Sequence, residues 1–305
     1  MLKRRQLLTV LIVLLAFLGV APAQVAAPAQ PKPRRFLMWK ATSPTATVYL
    51  VGSIHLGDSS MYPLPKEVES AFATAKALAV EINVNNVDQT KAIGLVQKYG
   101  MYSGDDSLTK HLSKETQAAL EDYCTKHNVP RAGMEQLKPW VVAVTIAALA
   151  WQQAGEDPAL GIDMHFLKES KPPQRIDELE TMESQLSIFA GATEEEQQSM
   201  LAAILKLGDK AKDLIKRTQA AYVAGDPDAL QKVMDEQNDI GSKTLMKKLL
   251  DDRNVMMTGK MEEYLKAKDP VFAVVGAAHI IGDKGIAKQL RDKGYKVDQV
   301  VLEAK

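Results

Sequence analysis

Two segments of this chain, more than 200 residues apart, repeat one design. The first reads Val48-Tyr49-Leu50-Val51-Gly52-Ser53-Ile54-His55, followed by Gly57-Asp58. The second reads Phe272-Ala273-Val274-Val275-Gly276-Ala277-Ala278-His279, followed by Gly282-Asp283. Each is a short apolar run, then Gly-x-x-His, then Gly-Asp. A short apolar run bounded by glycine reads as a buried strand. The glycine lets the chain leave the strand by a turn that a side chain would obstruct. The histidine then lies just beyond the strand's carboxyl end, the edge along which open α/β sheets bind ligands. One such histidine alone reads as a hydrogen-bonded structural residue. Two in matched contexts point to one shared site, built from both ends of the chain. Asp58 and Asp283 read as turn or cap residues.

The rest of the pattern supplies the sheet and its cover. Runs at 37–41 and 47–52 flank Thr-Ser-Pro-Thr and read as a β-hairpin. Residues 65–76 read as a helix with proline in its first turn, and 77–82 as a buried strand. Amphipathic helices are predicted at 88–99 and 113–127. Residues 140–151 are apolar except Thr145. That run is too short for the roughly 20 residues of a membrane span, so it reads as a core helix. Residues 174–179 form a short strand. Residues 193–268 are helical, broken at Gly208, Gly225-Asp226-Pro227 and Gly241, with Asp226 as a cap. A strand at 271–275, a helix at 284–293 and a strand at 296–302 close the chain. The fold class expected is α/β. Strand–helix units from both chain ends form one sheet, with a large, mostly helical insertion or cap at about 100–265.

The first 35 residues read as an address and a tether. Lys3, Arg4 and Arg5 precede an apolar run, Leu7 to Val20, and then Ala21-Pro22-Ala23. This is the three-part pattern of a secretory signal peptide, residues 1–23, cut after Ala23. A cut after Ala27 would leave Pro28 first and is the poorer site. The rival, an uncleaved anchor, has a run too short for a span. Residues 24–35, rich in Pro, Ala and Gln, read as a flexible tether, and 36–303 as the folded domain. The protein is expected to be exported, periplasmic or secreted, with no stable membrane span after cleavage. Lys and Arg number 38 against 38 Asp and Glu. No broad basic surface can form, which excludes nucleic acid as the main partner. Cys124 is the sole cysteine, so neither a disulfide within the chain nor a cysteine-built zinc site can exist.

Two carboxylates lie in places comparable to the histidines. Glu81 follows the run Ala77 to Val80, where it would be costly to bury without a partner. Glu180 follows the short strand and precedes a helix start at Thr181, a position common for acids. Neutral imidazoles with a carboxylate suit a divalent transition metal, zinc or iron among them. Arg253-Asn254 interrupts a helix of Leu, Met and Lys. Its guanidinium can stabilise an oxyanion, clamp a carboxylate, pair with Asp251 or Asp252, or simply lie exposed. Asp163 and His165 lie two apart on a helix and face different sides. His111, His127 and His165 read as surface or structural residues. The chain has no Gly-x-Ser-x-Gly elbow, no His-Glu-x-x-His and no phosphate-binding loop.

These pieces together resemble the TraB/PrgY/GumN family, whose relatives include the Tiki Wnt-inactivating proteases. The resemblance is carried by Met38-Trp39-Lys40, the first Gly-x-x-His segment, Tyr62-Pro63-Leu64-Pro65, Val80-Glu81, Lys138-Pro139-Trp140 and Gly161-Ile162-Asp163. It continues through Leu179-Glu180-Thr181 with Gln185, Gly225-Asp226, Arg253-Asn254 and the second Gly-x-x-His segment with Gly282. The resemblance implies a fold of the Tiki or erythromycin-esterase/ChaN-like type. It implies a site at His55, His279, Glu81 and Arg253, with Glu180 as a further acid. It also implies manganese or cobalt dependence and peptidase chemistry. On this reading His55, Glu81 and His279 hold the metal. Glu180 is the general base, or steers a ligand, and Arg253 stabilises negative charge. A peptide or protein is the expected substrate. The alternative is a non-catalytic periplasmic protein that binds metal, haem or peptide in the same pocket. A structural component of an export pathway is a third reading.

Overall fold

The computed structural model describes residues 35–236 and 242–303. The signal segment and nearly all of the tether lie outside the described residues. The described residues open with strand β1 at Arg35–Thr42. Strand β2 is Thr47–Ser53, β3 Ala77–Val80, β4 Arg175–Glu178, β5 Val271–Gly276 and β6 Lys296–Val301. They form one sheet in the order β4-β3-β5-β2-β1-β6. The hairpin of β1 and β2 is antiparallel, and β6 adds antiparallel to β1. Strands β4, β3, β5 and β2 are mutually parallel.

The predicted α/β class is therefore what the chain adopts: the two ends meet in the sheet centre. Strand β5 is buried at every position, and β3 likewise. Such two-sided burial is why neither run alternates with polar residues.

Helices Lys66–Thr74, Gln89–Gly100, Lys114–His127, Pro139–Gln153 and Ile162–Glu169 precede β4. Helices Met182–Ala190, Glu194–Leu207, Lys210–Val223, Pro227–Asp235, Lys243–Met246 and Asp252–Lys266 lie between β4 and β5. The helical insertion is thus divided by an edge strand into two blocks. Asp226 caps its helix as predicted, accepting from the backbone of Asp228 and Ala229. Helix Pro139–Gln153 is nearly all buried. Val142 and Ile146 pack with Leu201 and Leu214, while Trp140 and Val144 pack with Leu186 and Phe189. It joins the two blocks, which explains its lack of a polar face. Among the described residues, no helix is long and apolar enough to cross a membrane.

Candidate functional site

The register of the parallel strands sets the site. Gly52 pairs with Val275 and Ser53 with Gly276, so the two Gly-x-x-His segments leave neighbouring strands almost level. A Cβ on Gly52 would come within 3.0 Å of the Ala277 Cβ. Its φ is not positive. The glycine therefore serves close approach of the second motif and not the turn that its place suggested. On the other side of β5, Val80 pairs with Val274, and the ladder runs on past the strand ends. Leu179 N donates to Val80 O and Glu180 N to Glu81 O. Four chain segments thus end in a row at one sheet edge, carrying Glu180, Glu81, His279 and His55 in spatial order.

Arg253 crosses this row from helix Asp252–Lys266, just after a π-helical turn at Lys247–Asp251. Such turns recur at functional sites. Arg253 Nε donates to Glu180 Oε1 at 2.8 Å, and Nη2 donates to Glu180 Oε2 and Glu81 Oε2, both at 2.5 Å. Nη1 donates to Leu249 O at 3.0 Å. Gln185 Nε2 bridges the same two carboxylates, at 3.1 Å from Glu81 and 2.9 Å from Glu180. The other Glu81 oxygen accepts from Gly276 N at 2.7 Å. Glu81, Glu180 and Arg253 are 8%, 7% and 5% exposed. Of the readings open to Arg253, the carboxylate clamp is the one its contacts fill, and at 5% exposure it does not lie at the surface. Asp251 and Asp252 instead bind Lys284 and Lys247.

Each imidazole is held through Nδ1. His279 is fully buried and bonds Asn254 Oδ1 at 2.6 Å. Its Nε2 is buried and has no partner among the described residues. His55 Nδ1 lies 3.2 Å from Asp163 Oδ1, which also accepts from Ser53 Oγ at 2.7 Å. Asp163 is held there by its own backbone. Ile162 N donates to Ile54 O, and a Cβ on Gly161 would meet His55 O at 2.4 Å. Tyr222 OH donates to Gly52 O at 2.6 Å.

Electrostatics divide the two rings. Burial disfavours a charge on His55, but the Asp163 carboxylate outweighs it, with help from Glu81, and the ring rises to about 9. Burial lowers His279 to about 3, and the nearby Arg253 charge adds to it. Burial alone would raise Glu81. The Arg253 charge, the two imidazoles and the Gly276 N–H instead hold it at about 2. His55, His279 and Glu81 thus lie close enough to govern one another's ionisation. No group of three or more His, Cys, Asp or Glu side chains among the described residues is placed to hold a metal ion.

A model of the TraB/PrgY/gumN family matches residues 37–299. The chain belongs to that family. Over 258 residues it is 25% identical to YbaP of Escherichia coli (strain K12), an uncharacterized protein, covering 80% of this chain and 87% of YbaP. It is 21% identical over 210 residues to an uncharacterized protein of Treponema pallidum (strain Nichols), covering 66% and 61% of the two chains. No solved structure matches.

Against this TraB/PrgY/gumN background, sequence reasoning missed the partners that orient the histidines. Asp163 was read only as a helix residue, and Asn254 only as the neighbour of Arg253. Gln185 stood as a carrier of the resemblance without a role. The available signal was that all three lie in segments that carry that resemblance. Glu156 was not singled out. It is 5% exposed, beside Asp58, and burial together with that carboxylate raises it to about 7. Gln219 Nε2 donates to Asp58 at 2.6 Å and reaches Glu156 at 3.5 Å. The pair flanks the bridge that joins Gly57 to Asp157, just beyond His55. His111, His127 and His165 lie outside the row. His111 binds Asp106 and Glu194, His127 stacks on Tyr123, and His165 contacts Glu69.

Proposed function

We propose that the protein is an exported, metal-dependent hydrolase of the peptidase kind, with its site on the row of His55, His279, Glu81 and Glu180. The observation that carries this reading is the matched pair of imidazoles at one sheet edge. Each has Nδ1 committed to an oxygen, and the buried Nε2 of His279 is left without a partner among the described residues. Metal-binding histidines are oriented in this way. Two imidazoles suit a divalent transition metal, manganese, cobalt, zinc or iron, with His55 giving up the proton that Asp163 favours when the metal binds. His55 and His279 would hold it. Glu81 supports the site by charge, because its oxygens are bonded to Arg253, Gln185 and Gly276. A bound metal would supply an acidified water or a polarised carbonyl.

The chain's own groups do the remaining work. Arg253 sets its charge between two buried carboxylates, Glu81 and Glu180, and is the chief charge that holds Glu81 ionised. Glu180 is the acid assigned to proton transfer, and Arg253 the group assigned to developing negative charge. Each must loosen its bond to the other to act. Export follows from the tripartite N-terminus, and a peptide or protein is the substrate proposed.

One specific observation favours the alternative, a non-catalytic protein that binds metal, haem or peptide in the same pocket. Both carboxylates are tied to Arg253, so neither Glu81 nor Glu180 stands free as a base beside the histidines. The deciding experiment is cobalt or manganese titration of the purified protein, with a peptide-library cleavage assay with and without chelator. Chelator-sensitive cleavage supports the hydrolase. Tight binding of metal or haem without cleavage selects the binding protein.

A further inference from the structure

The orientation of His279 is decided by a residue that itself has no freedom. Asn254 Nδ2 donates to Lys284 O at 3.0 Å. A carbonyl only accepts, so the amide nitrogen must face it, and the amide oxygen must face the histidine. His279 Nδ1 is then the donor in its 2.6 Å bond. A neutral imidazole has one N–H, so Nε2 carries a lone pair. That lone pair is buried and without a partner among the described residues. A buried acceptor left in this state is costly unless a ligand meets it.

We propose that Asn254 is a positioning residue: through its bond to Lys284 O it fixes the Nδ1–H tautomer of His279 and keeps the Nε2 lone pair open to the site's ligand. The assignment of that ligand as a divalent cation rests on the hydrolase reading, whereas the tautomer does not. An amide suits the task better than a carboxylate. It orients the ring without adding a negative charge that would compete with Glu81 and Glu180 for Arg253.

The test is a long-range proton–nitrogen correlation spectrum of the full chain with labelled histidine, recorded in chelator. Signals of His279 are identified by their loss in His279→Asn. Wild type should show Nδ1 protonated and Nε2 bare. Asn254→Asp retains an acceptor and should keep that tautomer. Asn254→Leu removes it, and the ring should change to Nε2–H. An Nε2–H tautomer in wild type overturns the proposal without need of any variant. So does an unchanged tautomer in Asn254→Leu that still melts cooperatively. Cobalt titration of the same proteins, freed of chelator, separates the two readings. Asn254→Leu should weaken cobalt by about 10- to 100-fold, the usual cost of losing such a partner. If the tautomers follow the prediction while wild type binds no cobalt, the positioning role stands and the metal reading fails.

Discussion

Gly276 N donates to Glu81 Oε1 at 2.7 Å, so the carboxylate that ends β3 fixes the first residue of the second Gly-x-x-His motif. The same carboxylate holds Arg253 through its other oxygen. Motif geometry and charge balance therefore depend on one side chain, and substitutions in this network should act on stability as well as on the site.

Arg253→Met should be among the most damaging changes. It leaves Glu81 and Glu180 buried next to each other without a cation. Breaking a buried ion pair in this way costs about 3–5 kcal/mol. Urea unfolding should show a lower midpoint with an unchanged slope. A wild-type midpoint would mean that the network contributes nothing to folding.

Gly161→Ala tests the clamp on His55. The added methyl would press on His55 O, and overpacking of this kind costs about 1–3 kcal/mol. The His55 ring signals should move with the loss, because Gly161, Ile162 and Asp163 form one contact with that loop. Movement in the melting temperature alone would separate the clamp from the histidine.

Glu156 sets an expected pH dependence. Its carboxyl rises from 4.5 to about 7 on folding, so the folded chain holds a proton that the unfolded chain has lost. Its contribution is complete below pH 4.5 and disappears as pH rises through about 7, a loss of up to about 3 kcal/mol by linkage. Glu81 has the opposite sign. Held at about 2, it contributes above pH 4.5 and loses its contribution as pH falls toward 2. Melting curves of wild type and Glu156→Gln from pH 4.5 to 8 should therefore diverge, the variant gaining on the wild type as pH rises toward 7, while the linkage of His55 and His279 is common to both and cancels in the difference. Parallel curves would take Glu156 out of the pH dependence.

Asp163→Ala should weaken cobalt binding by about 10- to 100-fold while leaving a cooperative melt, since it removes the Nδ1 partner of His55. Equal affinity in a folded variant would take His55 out of the metal site.

Mass spectrometry of the protein from its native envelope should give a chain starting at Gln24. An intact Met1 in the mature protein would make the N-terminal segment an anchor.

The strand runs, the paired motifs and the capped helix at Pro227 were legible because they follow from local chemistry. Apolar runs, glycine and proline restrict the backbone wherever they occur, and an apolar core helix such as Pro139–Gln153 needs no partner to be recognised. The matched strand ends also named His55, His279 and Glu81. What Arg253 does was not legible. Its neighbours Asp251 and Asp252 were equally good partners on paper, and only the meeting of β3, β4 and helix Asp252–Lys266 turned it toward Glu81 and Glu180. The anchors Asp163 and Asn254 were hidden for the same reason. Asp163 is 108 positions from His55 and Asn254 is 25 from His279, and side-chain hydrogen bonds over such separations have no local periodicity. The sequence by itself determined which segments become strands and what chemistry their ends carry. Tertiary structure alone decided which donor each charge meets, because burial makes every unpaired polar group costly and so selects its partner from whatever the fold brings near.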